Sequence, residues 1–145
     1  MNETIEKSVF EEIPTEKIYS QNTILRGTFF AGPLVAGYCI AENFKTFNDY
    51  EKARNTWIIT ILFTIGIIAL VFVLPENFPN IIFPLIYSGL SAYFIKTFQE
   101  KNIQNHNERG GEIFNGWRVA LIGLISIAIF MGIIFSLAVF LNKGL

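Results

Sequence analysis

The chain has 145 residues, 52% of them apolar and 16% charged, with a formal net charge of −1. Soluble domains carry roughly 25% charged residues. The near-neutral balance excludes a broad basic surface for nucleic acid, and the single cysteine, Cys39, excludes an internal disulfide.

Residues 1–22 read as a polar, acidic tail. Glu3, Glu6, Glu11, Glu12 and Glu16 outnumber Lys7 and Lys17, and Pro14 interrupts any helix there. Phe10 and Ile13 are the tail's candidates for resting on a membrane surface. No apolar run follows a basic end, so the reading expects no cleavable secretory signal and lets the membrane segments serve as their own.

Residues 23–145 read as one membrane domain, with apolar segments at about 23–41, 57–74, 81–95 and 119–141. The first, built on TFFAGPLVAGYCIA, is short and broken by Gly32-Pro33. It extends back through Thr23 if Arg26 reaches a headgroup. Cys39 lies inside it as a small packing residue. In the polar loop that follows, Asn48 is the expected helix cap, with Glu51 placed to reach back to it. The second segment, WIITILFTIGIIALVFVL, has no charged residue and is long enough to cross a bilayer core of roughly 30 Å. Pro75 and Pro79 mark a tight turn. The third segment starts with Pro84 in its first turn and runs on as a polar helix until Gly110-Gly111. The fourth, VALIGLISIAIFMGIIFSLAVFL, is again uncharged, with Trp117 and Arg118 at its mouth.

The expected fold is therefore all-α: an integral membrane bundle of four helices, the first short and Gly/Pro-broken. Whether that first segment spans or re-enters is open from sequence. With four spans, the basic loops around Lys45 and Lys96 face the cytoplasm and both termini face out. If segment one dips in and returns, every Lys and Arg except Lys143 falls on the cytoplasmic side. Charge favours re-entry. A parallel plan in the two halves, each a short Pro-containing stretch, a basic loop, a Trp and a long helix, favours a span.

Helices in lipid associate through close backbone approach and a few polar bonds. Ala128, Gly132 and Ser136 recur at four-residue spacing and form an expected packing groove. Gly32 and Ala36 repeat the pattern in segment one. Thr60 and Thr64 stand one turn apart in segment two.

Chemistry is sparse. Segments two to four hold no ionisable residue between their ends, His106 is the only histidine, and no catalytic or phosphate-binding motif is present. No catalytic, cofactor-binding or metal-binding residue is expected. Two candidate features remain. Lys45, Arg54, Lys96, Lys101, Arg109 and Arg118 gather at one face that could receive a partner or anionic lipid. The Gly32-Pro33 break could expose carbonyls to an ion or substrate.

The stretch ILRGTFFAGPLVAGYCIAENF (residues 24–44), with the later Gln99, Ile103, His106, Gly110-Gly111 and Trp117-Arg118, resembles a group of small uncharacterised bacterial multipass membrane proteins. The resemblance covers roughly residues 18–141. It implies a bacterial inner-membrane protein and supplies no catalytic residues. The leading expectation is a non-enzymatic accessory or scaffold component without cofactor. Its partners are the lipid bilayer and a membrane or cytoplasmic protein or further copies of itself, with no nucleic acid. The alternative is a small homo-oligomeric transporter or channel using the Gly32-Pro33 break and Thr60/Thr64 as polar lining.

Overall fold

A computed structural model describes residues 13–143. Phe10 and the rest of residues 1–12, and residues 144–145, lie outside the described part. Six helices and no strand are found among the described residues: α1 (Gln21–Ala31), α2 (Pro33–Thr46), α3 (Tyr50–Val73), α4 (Ile82–Phe98), α5 (Glu100–Glu108) and α6 (Gly116–Lys143). Two of them, α3 and α6, are long and apolar enough to cross a membrane, and α4 is a shorter apolar helix.

The first apolar segment is not one rod. Gly32 sits at φ 92°, ψ 179° and separates α1 from α2. That conformation is open to glycine and closed to side-chain-bearing residues, and Pro33 then opens α2 at a position where its missing N–H is harmless. The chain turns back here. In a continuous helix residues 27 and 35 would lie about 12 Å apart. Instead, a Cβ placed on Gly27 would meet Val35 Cγ1 at 3.0 Å. Tyr19, just before α1, is hydrogen-bonded to Asn43 near the end of α2. The two helices thus form an antiparallel hairpin whose ends meet. Gly32→Ala is expected to cost about 1–3 kcal/mol, the usual range for a strained backbone residue, read as a lowered thermal midpoint in detergent.

The α2–α3 turn differs from the sequence reading by one residue. Asn48 does not cap α3. It takes the left-handed conformation (φ 59°) and closes α2, with Asp49 N–H donating to Phe44 O and Asn48 N–H to Lys45 O. Asp49 is the cap, accepting from Lys52 N–H at 3.1 Å. Asn tolerates φ > 0 better than most residues, so it is used where that is required.

Nine of the fourteen residues of α2 are buried, which makes it the central helix. A helix apolar on all faces belongs in the middle of a bundle. Helix α3 packs on α2; α4 and α6 pack on α1 and more lightly on α2. The long helices rest on the hairpin rather than chiefly on one another. The core accordingly lies at the end where the hairpin opens, around Tyr19, Val35, Cys39, Ile40, Phe44, Ile95 and Val119.

The face of α3 against α2 carries Thr56, Thr60 and Thr64, all buried, at four-residue spacing. Thr60 lies directly against Gly37. The expected groove on α6 is different. Ala128, Gly132 and Ser136 are all exposed, and nothing lies within 4 Å of a Cβ built on Gly132. The small residues α6 does use are nearer its start, where Gly123 meets Ala31. Gly132→Leu is therefore expected to leave thermal stability within about 0.5 kcal/mol of the parent, measured on the monomeric chain in detergent.

Candidate functional site at the basic end of the bundle

The densest polar arrangement is a buried amide cluster. Asn43 and Gln99 are both fully buried. Asn43 treats the backbone of Tyr19 as a strand partner would: its Oδ1 accepts from Tyr19 N–H at 2.7 Å and its Nδ2 donates to Tyr19 O at 2.8 Å. Nδ2 also reaches Gln99 Oε1 at 3.4 Å. Gln99 Nε2 donates to Ile40 O at 2.8 Å. Gln99 stands at the junction of α4 and α5, where φ departs to −123°. One pair of side-chain amides therefore ties together the entry to α1, the end of α2 and the bend after α4. Buried amides are tolerated only when satisfied, and these are.

A second layer straps the connection before α6 onto this cluster. Ile18 N–H donates to Glu112 O at 3.2 Å, and Phe114 N–H to Ile18 O at 2.8 Å. His106, in the last turn of α5, is buried and its Nε2 lies 3.0 Å from Glu112 O. Gly111 lies flat against that imidazole, leaving no room for a Cβ. Arg118 Nε donates to the Tyr19 hydroxyl at 2.7 Å, and its guanidinium sits 4.1 Å from the centre of the Phe114 ring. Burial pushes the Tyr19 phenol well above its usual range, against the opposing pull of Arg118. Lys17 pairs with Glu112 at 2.6 Å and holds that carboxyl below the usual carboxylate range. That pairing contributes above the usual carboxylate range and is lost as pH falls through the lowered value. Both side chains are substantially exposed, so the bond is a weak one.

The six basic candidates all lie at this end. Arg54, Lys96 and Lys101 are exposed. Lys45 is exposed enough to meet a partner but pairs with Glu42 at 2.6 Å, which raises its pKa. Arg118 is committed to Tyr19 and Phe114, so it serves the fold rather than an open face. Arg109 borders a polar cavity of about 450 Å3, together with Asn48, Asn102, Asn105 and His106.

Gly32 and Pro33 lie at the hairpin tip, where they border an apolar cavity of about 420 Å3 between α3, α4 and α6. Asn80 and Tyr87 are the polar side chains on its wall, and the Tyr87 hydroxyl donates to Phe29 O at 3.4 Å. Thr60 borders an apolar cavity of about 220 Å3 with Pro33, Gly37 and Thr56, and Thr64 is not on its wall. The Thr64 hydroxyl is bonded to Thr60 O at 2.7 Å, inside α3, and both residues are buried in its packing face. The reason is local: a threonine hydroxyl in an apolar setting satisfies itself on the carbonyl one turn back.

Of the three residues that organise this end, Tyr19, Asn43 and Gln99, the sequence reading did not single out Tyr19, and it did not pair Asn43 with Gln99. A signal existed: Gln99, Ile103 and His106 follow one helical stripe, and all three are buried. Among the described residues no group of three or more His, Cys, Asp or Glu could hold a metal ion. No family model, curated protein or solved structure matches the chain.

Proposed function

We propose that the chain is a bacterial inner-membrane protein with three transmembrane helices, α3, α4 and α6, assembled around a re-entrant hairpin, and that it serves as a non-enzymatic accessory or scaffold. The observation that carries the topology is the Tyr19–Asn43 pairing. It returns the end of α2 to the level at which α1 began, so the hairpin enters and leaves by one face. With α3, α4 and α6 crossing, every Lys and Arg among the described residues except Lys143 then lies on that face, as the charge rule requires of the cytoplasmic side. The apolar exteriors of the long helices support a lipid solvent. Leu62, Ile65, Leu124, Ile125, Met131 and Phe135 are each more than half exposed, and large apolar side chains displayed along two long helices suit a lipid surface. Helix α4, at 17 residues, stands at the lower limit for a span.

The accessory role rests on where the polar groups go. The buried amides, the strap and Arg118 are all used in holding the basic end together, and Arg54, Lys96 and Lys101 are left exposed for a partner. Membrane-impermeant thiol labelling tests the topology in a Cys39→Ala background. A cysteine introduced at Asn77 is expected to label from outside, and one at Ser8 only after permeabilisation; labelling of Ser8 in intact cells restores the four-span arrangement. Co-purification of a stoichiometric partner, lost in the Arg54/Lys96/Lys101 triple alanine variant, tests the role.

A second reading draws on the cavity over the hairpin tip, whose wall includes Asn80. A small homo-oligomeric transporter would use it as an outward-facing pocket. Solute flux in proteoliposomes, abolished by Pro33→Ala, would select this reading over the accessory one.

A further inference from the structure

Between α1 and α6 runs a groove of about 480 Å3 whose exposed walls take no part in the interactions described above. The two helices run in the same direction. Thr23 stands opposite Gly116, Gly27 opposite Val119 and Ala31 opposite Gly123. The glycines bring the backbones close and make the floor. Phe30, 80% exposed, Trp117, 69% exposed, and Leu124, 63% exposed, stand up as walls. Arg26 lies about one turn in from Thr23 at the basic end of the groove, and among the described residues no carboxylate pairs with it. From Gly116 to Ile127 the groove covers eleven steps of helix, about 16 Å. That is about half of a ~30 Å hydrocarbon core, the depth of one leaflet.

We infer that this groove binds one anionic phospholipid of the cytoplasmic leaflet, with its phosphate on the Arg26 guanidinium and an acyl chain laid along the glycine floor. The inference rests on the membrane topology proposed above. Three features select this occupant. The charge sits at one end only, as a headgroup requires. The apolar length matches one leaflet. A guanidinium close to the polar end of α1 can reach a phosphate without crossing hydrocarbon.

Trp117 is the reporter. In a Trp57→Phe chain it is the sole tryptophan. The full-length variant is reconstituted into phosphatidylcholine vesicles containing a minor fraction of brominated phosphatidylglycerol or brominated phosphatidylcholine. The expected result is about five-fold stronger association of the anionic lipid, read from quenching. Arg26→Gln brings that ratio to one, Lys96→Gln leaves it unchanged, and Ala120→Phe, which fills an exposed part of the groove, removes the excess quenching. A ratio of one in the starting chain, or a ratio indifferent to Arg26→Gln, overturns the inference while the topology stands. Absence of the chain from the vesicles overturns both. An interchain disulfide from Ala120→Cys in a Cys39→Ala background would place a second copy in the groove and overturn the lipid.

Discussion

Asn43→Leu is expected to destabilise the chain by about 2–6 kcal/mol and to reduce the amount of folded protein recovered from membranes. The substitution nearly preserves volume, so packing is not the cause. It strands the N–H and the C=O of Tyr19, both at a fully buried residue boundary. Each stranded buried group costs roughly 1–3 kcal/mol. Against a total stability on the order of 5–15 kcal/mol, that is a large share. It also releases Gln99 Oε1, which has Asn43 as its side-chain partner. Gln99→Leu alone is expected to cost less, because the Ile40 carbonyl it abandons lies in the interior of α2. The double variant should cost less than the sum of the two, since both act on one network. A thermal unfolding series in detergent on the four proteins checks this. Strict additivity would mean that the two amides act independently, and a midpoint for Asn43→Leu equal to the parent's would show that Tyr19 does not need its partner.

The same network explains what the sequence could and could not convey. The apolar runs at 57–74 and 119–141 are long and uninterrupted, and they became α3 and α6. An apolar run of that length with no proline or charge to interrupt it satisfies its backbone groups within the segment as a helix. The Gly32-Pro33 break was legible as a break, but its angle was not. A φ of 92° is a property of the folded chain, and the fold-back depends on an amide 24 residues from its partner. No local pattern encodes that pairing. The charge distribution is consistent with the proposed topology, in which a returning segment places Lys17, Arg26 and the loop residues on one side. The parallel plan of the two halves pointed the other way and does not correspond to structure: its first short stretch is a hairpin, its second the single helix α4.

Small residues teach a related lesson. Spacing marked Ala128, Gly132 and Ser136 as a groove, yet the α6 face that is used lies elsewhere, at Gly123. A four-residue repeat of small side chains makes close approach feasible and says nothing about whether a neighbour arrives. Burial of Ala36 and Gly37 does, because α2 is enclosed on all sides. Likewise His106, the only histidine, belongs to no motif in the sequence, while in the folded chain it is buried against Glu112 O and Gly111. The stripe Gln99–Ile103–His106 carried that information, but a polar stripe on a polar helix does not stand out by hydropathy.

Gly37→Ala should destabilise where Gly132→Leu does not, although it adds only one carbon. A Cβ at position 37 would overlap three atoms of the Thr60 side chain, its Cβ among them, so no rotamer of Thr60 clears it. Helices α2 and α3 would have to separate along their whole contact, and α3 would lose its main support within the chain. Overpacking of this kind costs typically about 1–3 kcal/mol, which outweighs the roughly 1 kcal/mol that alanine gains over glycine in a helix. Exchanging the two residues separates sterics from propensity. Thr60→Gly in the Gly37→Ala background removes every atom that blocks the new Cβ. It should restore part of the loss, leaving a coupling of about 0.5–3 kcal/mol between the sites. Thermal midpoints of the two single variants and the exchange give that coupling directly. If Gly37→Ala proved as stable as the parent, the close approach of α2 to α3 would not be what holds the hairpin in place, and the weight of the assembly would shift to the Asn43–Gln99 cluster.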